Sequence, residues 1–218
     1  MKSLRLALAL GLLIPALAHA QGVELTAYGG YNLGGSIDVR EDASNTLDTK
    51  DSFTTGLSLT WQRSPSYAFE LMWAWRPTDI EGENPLDPGK VTITSLNEHD
   101  FHANFLFMPA YSEGKFVPFL LLGLGATYLD PGDFEFDGET YTPDGATKFS
   151  WAIGAGAKGF MNERFGLRAQ VRYHSTYTTD ESGGTWCDPW YGCYETVDTN
   201  WLDEWDFTGG IMFNLGGR

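Results

Sequence analysis

The stretch FVPFLLLGLGATYL (Phe116–Leu129) carries no charge and almost no polar atom. It has three possible readings: a core helix, a membrane helix, or a strand that is apolar on both faces. The choice sets the fold. At fourteen residues it falls short of the ~18 continuous apolar residues a spanning helix needs. Pro118, Gly123 and Gly125 are poor residues for a helix interior. A strand remains, with Phe116, Pro118, Leu120, Leu122, Leu124, Ala126 and Tyr128 on one face. Its other face holds Val117, Phe119, Leu121, Gly123, Gly125 and Thr127.

The flanking sequence alternates with the same period of two. Val23–Leu33, Phe53–Trp61, Tyr67–Arg76, Asp100–Met108, Lys148–Gly159, Phe165–His174 and Trp205–Leu215 each set apolar residues against polar or small ones. With Phe116–Leu129 they make eight strands. A soluble sandwich alternates too, but three further features separate the cases. The apolar faces end in aromatics at both edges: Trp61, Tyr67, Phe107, Phe116, Phe165 and Phe213 at one, Phe53, Trp75, Phe101, Tyr128, Trp151, Tyr173 and Trp205 at the other. Two aromatic girdles are what a bilayer with two interfaces selects. The connections alternate short (Gln62–Ser66, Pro109–Lys115, a turn near Asn162) and long (Ser36–Asp51, Pro77–Asn97, Asp130–Ala146, Thr178–Asp203). The long connections hold 21 acidic and 3 basic residues, and the rest of the chain after residue 20 is almost neutral. Together these predict an all-β, eight-stranded, antiparallel up-and-down transmembrane barrel with four acidic loops at one end.

Residues 1–20, MKSLRLALALGLLIPALAHA, have a basic start, an apolar run and a small-x-small site at Ala18–Ala20. That is the pattern of a secretory signal peptide, so the barrel domain is expected to occupy residues 21–218. The leader holds two basic residues and no acidic one, which leaves the remainder at net −17. Such a charge argues against a nucleic-acid partner. The exported context and the close spacing in CDPWYGC predict a disulfide between Cys187 and Cys193 that braces one loop.

The chain resembles the eight-stranded outer-membrane barrels that include the transmembrane domain of outer-membrane protein A. FGLRAQVRYH (Phe165–His174) is similar to that family's penultimate strand. TGGIMFNL (Thr208–Leu215) matches its final-strand assembly signal at Gly210, Phe213 and Leu215, although Gly216-Gly217-Arg218 follow where many members end on an aromatic. The resemblance implies a monomer in the outer membrane of a Gram-negative bacterium, both termini periplasmic. It also implies contact with lipid and lipopolysaccharide, and the barrel-assembly machinery as a partner during folding.

Candidate chemistry follows from this frame. Glu24, Glu70, Arg76, Asp100, His102, Lys148, Lys158, Arg168, Arg172, His174 and Asp206 fall on inward positions. Charges in so narrow a lumen must pair. Glu70 and Asp100 are expected against Arg168 and Arg172, either as a fixed plug or as a gate that exchanges partners. Gly123 and Gly125 are expected to make room for Arg168 or Arg172. Asp133, Glu135, Asp137, Gly138 and Asp144 fall at EF-hand ligand positions, but Glu at the third position, Asp at the twelfth and no flanking helices favour a hairpin turning at Gly138. No cofactor or specific metal is expected; loose divalent bridging between acidic loops and lipid phosphates is. Lipid-modifying barrels place His-x-Ser on the lipid face, and that spacing is absent: His174 and Ser175 are adjacent and face opposite sides. No enzyme is therefore expected. Trp186, Trp190, Tyr191, Tyr194 and Trp201, beside the cysteines, are candidates for contact with an unidentified surface ligand. The reading is a structural or surface-interaction barrel, with a small diffusion channel gated by lumen ion pairs as the first alternative and a lipid-modifying enzyme as the last.

Overall fold

The computed structural model describes residues 22–38, 46–83, 90–108, 115–136, 139–178, 185–188, 192–195 and 201–216. Eight long strands form the wall: β1 (Val23–Leu33), β4 (Ser52–Ser64), β5 (Tyr67–Glu83), β6 (Lys90–Phe107), β7 (Phe116–Pro131), β10 (Ala146–Phe160), β11 (Phe165–Tyr177) and β14 (Trp201–Asn214). Each pairs antiparallel with its chain neighbour, and β14 pairs with β1, so the sheet closes on itself. Closure removes every edge along the wall, which is the condition for a sheet to sit in lipid.

Burial in β7 settles the opening stretch. Val117, Phe119 and Leu121 are buried in the lumen, while Phe116, Leu120, Leu122 and Leu124 are more than half exposed. The same outward apolar exposure recurs at Leu57, Phe69, Leu71, Phe105, Ile153, Leu167, Phe207 and Ile211. A continuous apolar band around a closed barrel has lipid as its solvent. Aromatics rim it. Phe165 and Phe213 meet at 5.2 Å on one edge, and Trp151, Tyr173 and Trp205 follow one another at 5.5 and 5.3 Å on the other.

Among the described residues six further short strands pair as three hairpins: β2 (Ser36–Asp38) with β3 (Thr46–Thr49), β8 (Phe134–Phe136) with β9 (Glu139–Tyr141), and β12 (Thr185–Asp188) with β13 (Gly192–Glu195). The described parts of the long connections expected as loops are therefore largely β-structure. Pro77–Asn97 is the clearest correction. β5 and β6 stay in register through it as far as Glu83 opposite Lys90, with one irregularity at Ile80/Glu81. The reason is packing: Ile80, Leu96 and Leu129 form a small buried cluster above the aromatic edge, so apolar alternation outlasts the membrane. Likewise Trp201 belongs to β14, where it packs on Tyr177 at 5.1 Å, and not to a loop. The signal-peptide residues 1–20, the turn at Asp137-Gly138, and Trp190 and Tyr191 lie outside the described residues.

The glycines of β7 also need correcting. A Cβ on Gly123 would lie 2.1 Å from Asn104 Oδ1, and one on Gly125 would lie 2.1 Å from both His102 Cδ2 and the Phe101 carbonyl. The room they leave is taken by the adjacent strand β6, not by Arg168 or Arg172. Inward side chains of a small barrel fan across neighbouring strands before they reach the far wall. Gly125→Leu is accordingly expected to displace His102 and cost about 1–3 kcal/mol, read from urea unfolding in lipid vesicles.

Candidate functional site: the lumen ion network

The lumen is stratified. Its lower end is apolar: Ala68, Leu106, Met108, Val117, Phe119, Leu121 and Ala152 pack as one cluster. Above and beside it lie six buried carboxylates (Glu24, Glu70, Glu98, Asp100, Glu204, Asp206) and four buried cations (Arg76, Lys158, Arg168, Arg172) among the described residues. The two signs do not balance, so geometry decides which groups share a partner.

The lowest pair is Lys158 with Glu24, joining β10 to β1. Next, Arg168 grips both oxygens of Glu70 from the opposite wall. Thr60 donates to Glu70 at 2.8 Å and Asn104 at 3.0 Å, so the carboxylate is fully ligated. Arg168 also donates to Gln170 at 2.6 and 3.0 Å, and its guanidinium sits 4.7 Å from the Phe119 ring centroid. That ring links the charged pair to the apolar floor.

In the middle, Arg172 holds Asp206 at 2.6 Å, with Asp100 further off at 3.4 Å. It also meets His102 Nδ1 at 3.2 Å, and His102 shares a 2.8 Å hydrogen bond with Ser150. The centre is Arg76. Its Nη2 lies 2.9 Å from Glu98, 2.9 Å from Asp100 and 3.1 Å from Glu204, and its Nη1 lies 3.3 Å from Asp206. His174 sits between Asp100 and Glu204 at 3.5 Å from each.

The residues singled out from sequence thus separate into two groups. Glu70 and Arg168 pair with each other. Asp100, His102 and Arg172 belong to the upper cluster, where Asp100 lies closer to Arg76 than to Arg172. Lys148 is only half-buried, at the rim. Glu98 and Glu204 were missed because both fall in or beside segments read as loop. The available signal was parity: each lies two residues before an inward aspartate, Asp100 or Asp206. Ser175 is buried and donates to Asp203 at 2.6 Å, while His174 stays in the lumen, so the two are not brought together for chemistry.

Gly210 lies opposite Tyr28, and a Cβ there would come 2.8 Å from the Tyr28 Cβ. Phe213 lies opposite Leu25 and against Phe165 at the lower edge, and Leu215 N donates to the Val23 carbonyl at 2.8 Å. Cys187 and Cys193 are directly opposite in the β12–β13 ladder. Facing positions of an antiparallel pair fall within the Cα separation a disulfide requires.

A closed antiparallel sheet with an apolar girdle outside and paired charges inside defines a membrane barrel. The chain belongs to the outer membrane protein beta-barrel domain family, whose model matches residues 6–214. Its strands therefore cross the outer membrane of a Gram-negative bacterium. Among solved structures it is similar to the outer membrane protein OprG from Pseudomonas aeruginosa (TM-score 0.58, 14% identity, 89% of this chain and 96% of that one). It is also similar to Neisserial surface protein A (TM-score 0.54, 12% identity, 89% and 97%). A third is the outer membrane protein AlkL in lipid bilayers (TM-score 0.52, 14% identity, 91% and 93%). At these identities the likeness is one of fold. No curated protein sequence matches the chain.

Replacing Arg76 by Met would leave Glu98 and Glu204 without a guanidinium beside Asp100 and Asp206, which keep only Arg172. The expected cost is about 3–5 kcal/mol of unfolding free energy in vesicles, partly recovered on acidification because protonation removes the repulsion. Equal stability of the variant and wild type at neutral pH would show that the cluster is not held by Arg76.

Proposed function

We propose that the protein is a closed, non-enzymatic barrel that works through the acidic β-hairpins it holds outside the membrane. The observation that supports this reading is the filled lumen: an apolar floor overlain by ion pairs that tie opposite walls together. Such a barrel is a scaffold, and its variable chemistry lies at the mouth. The four long connections carry 21 of the 29 acidic residues, which suits divalent cations bridging to lipopolysaccharide phosphates or a basic surface partner. β1 begins and β14 ends at the end of the short turns, which supports periplasmic termini. The closed wall leaves no strand edge for self-association, in keeping with a monomer, and Gly210, Phe213 and Leu215 would be read by the assembly machinery. A Cys187–Cys193 disulfide would brace the β12–β13 hairpin.

Two measurements test this. Folded wild-type protein in a planar bilayer is expected to be electrically silent; reproducible conductance steps would overturn the closed reading. Binding of intact cells to a surface ligand or to calcium-bridged lipopolysaccharide is expected to fall when the Cys187–Cys193 hairpin is reduced or trimmed. The alternative of a small diffusion channel draws on a different part of the lumen, the wall formed by β1 and β4.

A further inference from the structure

Apart from the Lys158–Glu24 pair, which joins β10 to β1, the ion network hangs from β5, β6, β11 and β14, and the inner wall of β4 is built differently. Its inward positions read Ser52, Thr54, Gly56, Ser58 and Thr60. Thr26 stands beside Ser58 on β1. These are small hydroxyl residues in file, and eight strand steps carry them about 27 Å along the barrel. Thr60 is bonded to Glu70, but the hydroxyls of Ser52, Thr54, Ser58 and Thr26 have no hydrogen-bond partner in the protein, although each is at least nine-tenths buried. One orphaned hydroxyl is common; four on two adjacent strands, all turned into the same side of the lumen, are not. Buried hydroxyls without protein partners are satisfied by water where small side chains leave room.

The file has one break. Gly56 is the only inward position from Ser52 to Thr60 without a hydroxyl, and Tyr28 explains it. The Tyr28 ring crosses from β1 over Gly56, and a Cβ on Gly56 would lie 2.4 Å from the Tyr28 oxygen. The phenol donates a 2.7 Å hydrogen bond to the Trp73 carbonyl on the next strand, and Met72 and Ala74 pack against the ring. Tyr28 therefore lies as a bar across the file, with Ser52 and Thr54 above and Ser58 and Thr26 below. Above the upper group the chain reaches Asp51, which turns outward to accept from Tyr31 at 3.1 Å and lines, with Asp48, Lys90 and Asp203, an open depression of about 400 Å³ at that end of the barrel. Below the lower group, Thr60 lies in register with Glu24.

We propose that the β1–β4 wall carries a column of water beside the ion plug, that Tyr28 is its gate, and that the species it admits when open are small hydrated cations. The choice of sign follows from the six carboxylates that face four cations across the lumen. The proposal rests on the closed resting barrel proposed above; the column is a latent path whose opening starts when the Tyr28 phenol leaves the Trp73 carbonyl.

The test is planar-bilayer conductance in potassium chloride of wild type, Tyr28→Ala and Tyr28→Phe, each first shown to be folded by its heat-modifiable gel mobility. Wild type is expected to be silent, Tyr28→Ala to give discrete steps with a cation-selective reversal potential, and Tyr28→Phe to give brief openings because the ring stays and its latch is lost. Adding Thr54→Val and Ser58→Val to Tyr28→Ala should lower the step size. A folded, silent Tyr28→Ala overturns the gate, and anion-selective steps overturn the assigned ions. Steps in wild type itself would instead sink the closed reading and leave the column standing. Should Tyr28→Ala not fold, water-edited solid-state NMR of the wild type decides. Strong magnetisation transfer from water to Thr26, Thr54 and Ser58 is expected, and its absence there overturns the column.

Discussion

Arg76 is the residue on which the inside of this barrel depends. Four carboxylates from two strands converge on one guanidinium. Glu98 and Asp100 come from β6, Glu204 and Asp206 from β14, and around the closed sheet β6 and β14 stand opposite each other. The cluster is thus a strut across the full width of the lumen. Arg172 repeats it one layer lower between Asp206 and Asp100, and Arg168 with Glu70 joins β11 to β5, again opposite walls. Buried ion pairs gain little over apolar packing in net stability, but they are costly to break. Here they make one cross-section of the barrel strongly preferred over a flattened or expanded one.

A barrel of eight strands has an interior that side chains just fill. This protein divides that space unequally. The β7 side and the floor are apolar, the β5, β6, β11 and β14 sides carry most of the charges, and the β1–β4 side carries hydroxyls, Tyr28 and, at its lower end, Glu24 paired with Lys158. The glycines follow from the division. Gly125 admits the His102 ring, and Gly56 and Gly210 flank Tyr28 on its two neighbouring strands. The outer surface is by contrast uniform, because lipid asks only for apolar area and interfacial aromatics. Chemical variety is confined to the lumen and to the hairpins above the membrane.

Strand identity, strand count, facing direction and membrane class were all legible in the sequence. Period-two alternation, paired aromatic edges and sorted charge are one-dimensional signals of a one-dimensional constraint: each strand crosses the same slab in the same way. Strand ends above the membrane were not legible. Acidic composition reads as loop, yet β5 and β6 continue through Pro77–Asn97 because Ile80, Leu96 and Leu129 find one another across three strands. The same misreading hid Glu98 and Glu204.

Within the strands read from sequence, inward parity alone identified the charges that enter the lumen, with Lys148 left at the rim, since a side chain's facing direction is local to its strand. Which charge meets which was decided only by closure, register and reach. Glu70 meets Arg168 because their strands are diametrically opposed and level; Asp100 meets Arg76 more closely than Arg172 because register sets it just below the hub. Tyr28 shows the same division. Its alternation marks it as inward, but only the curvature that brings β1, β4 and β5 onto one concave wall lets its phenol pass over Gly56 to the Trp73 carbonyl. Local sequence sets the direction of a side chain, and the closed sheet sets its partner.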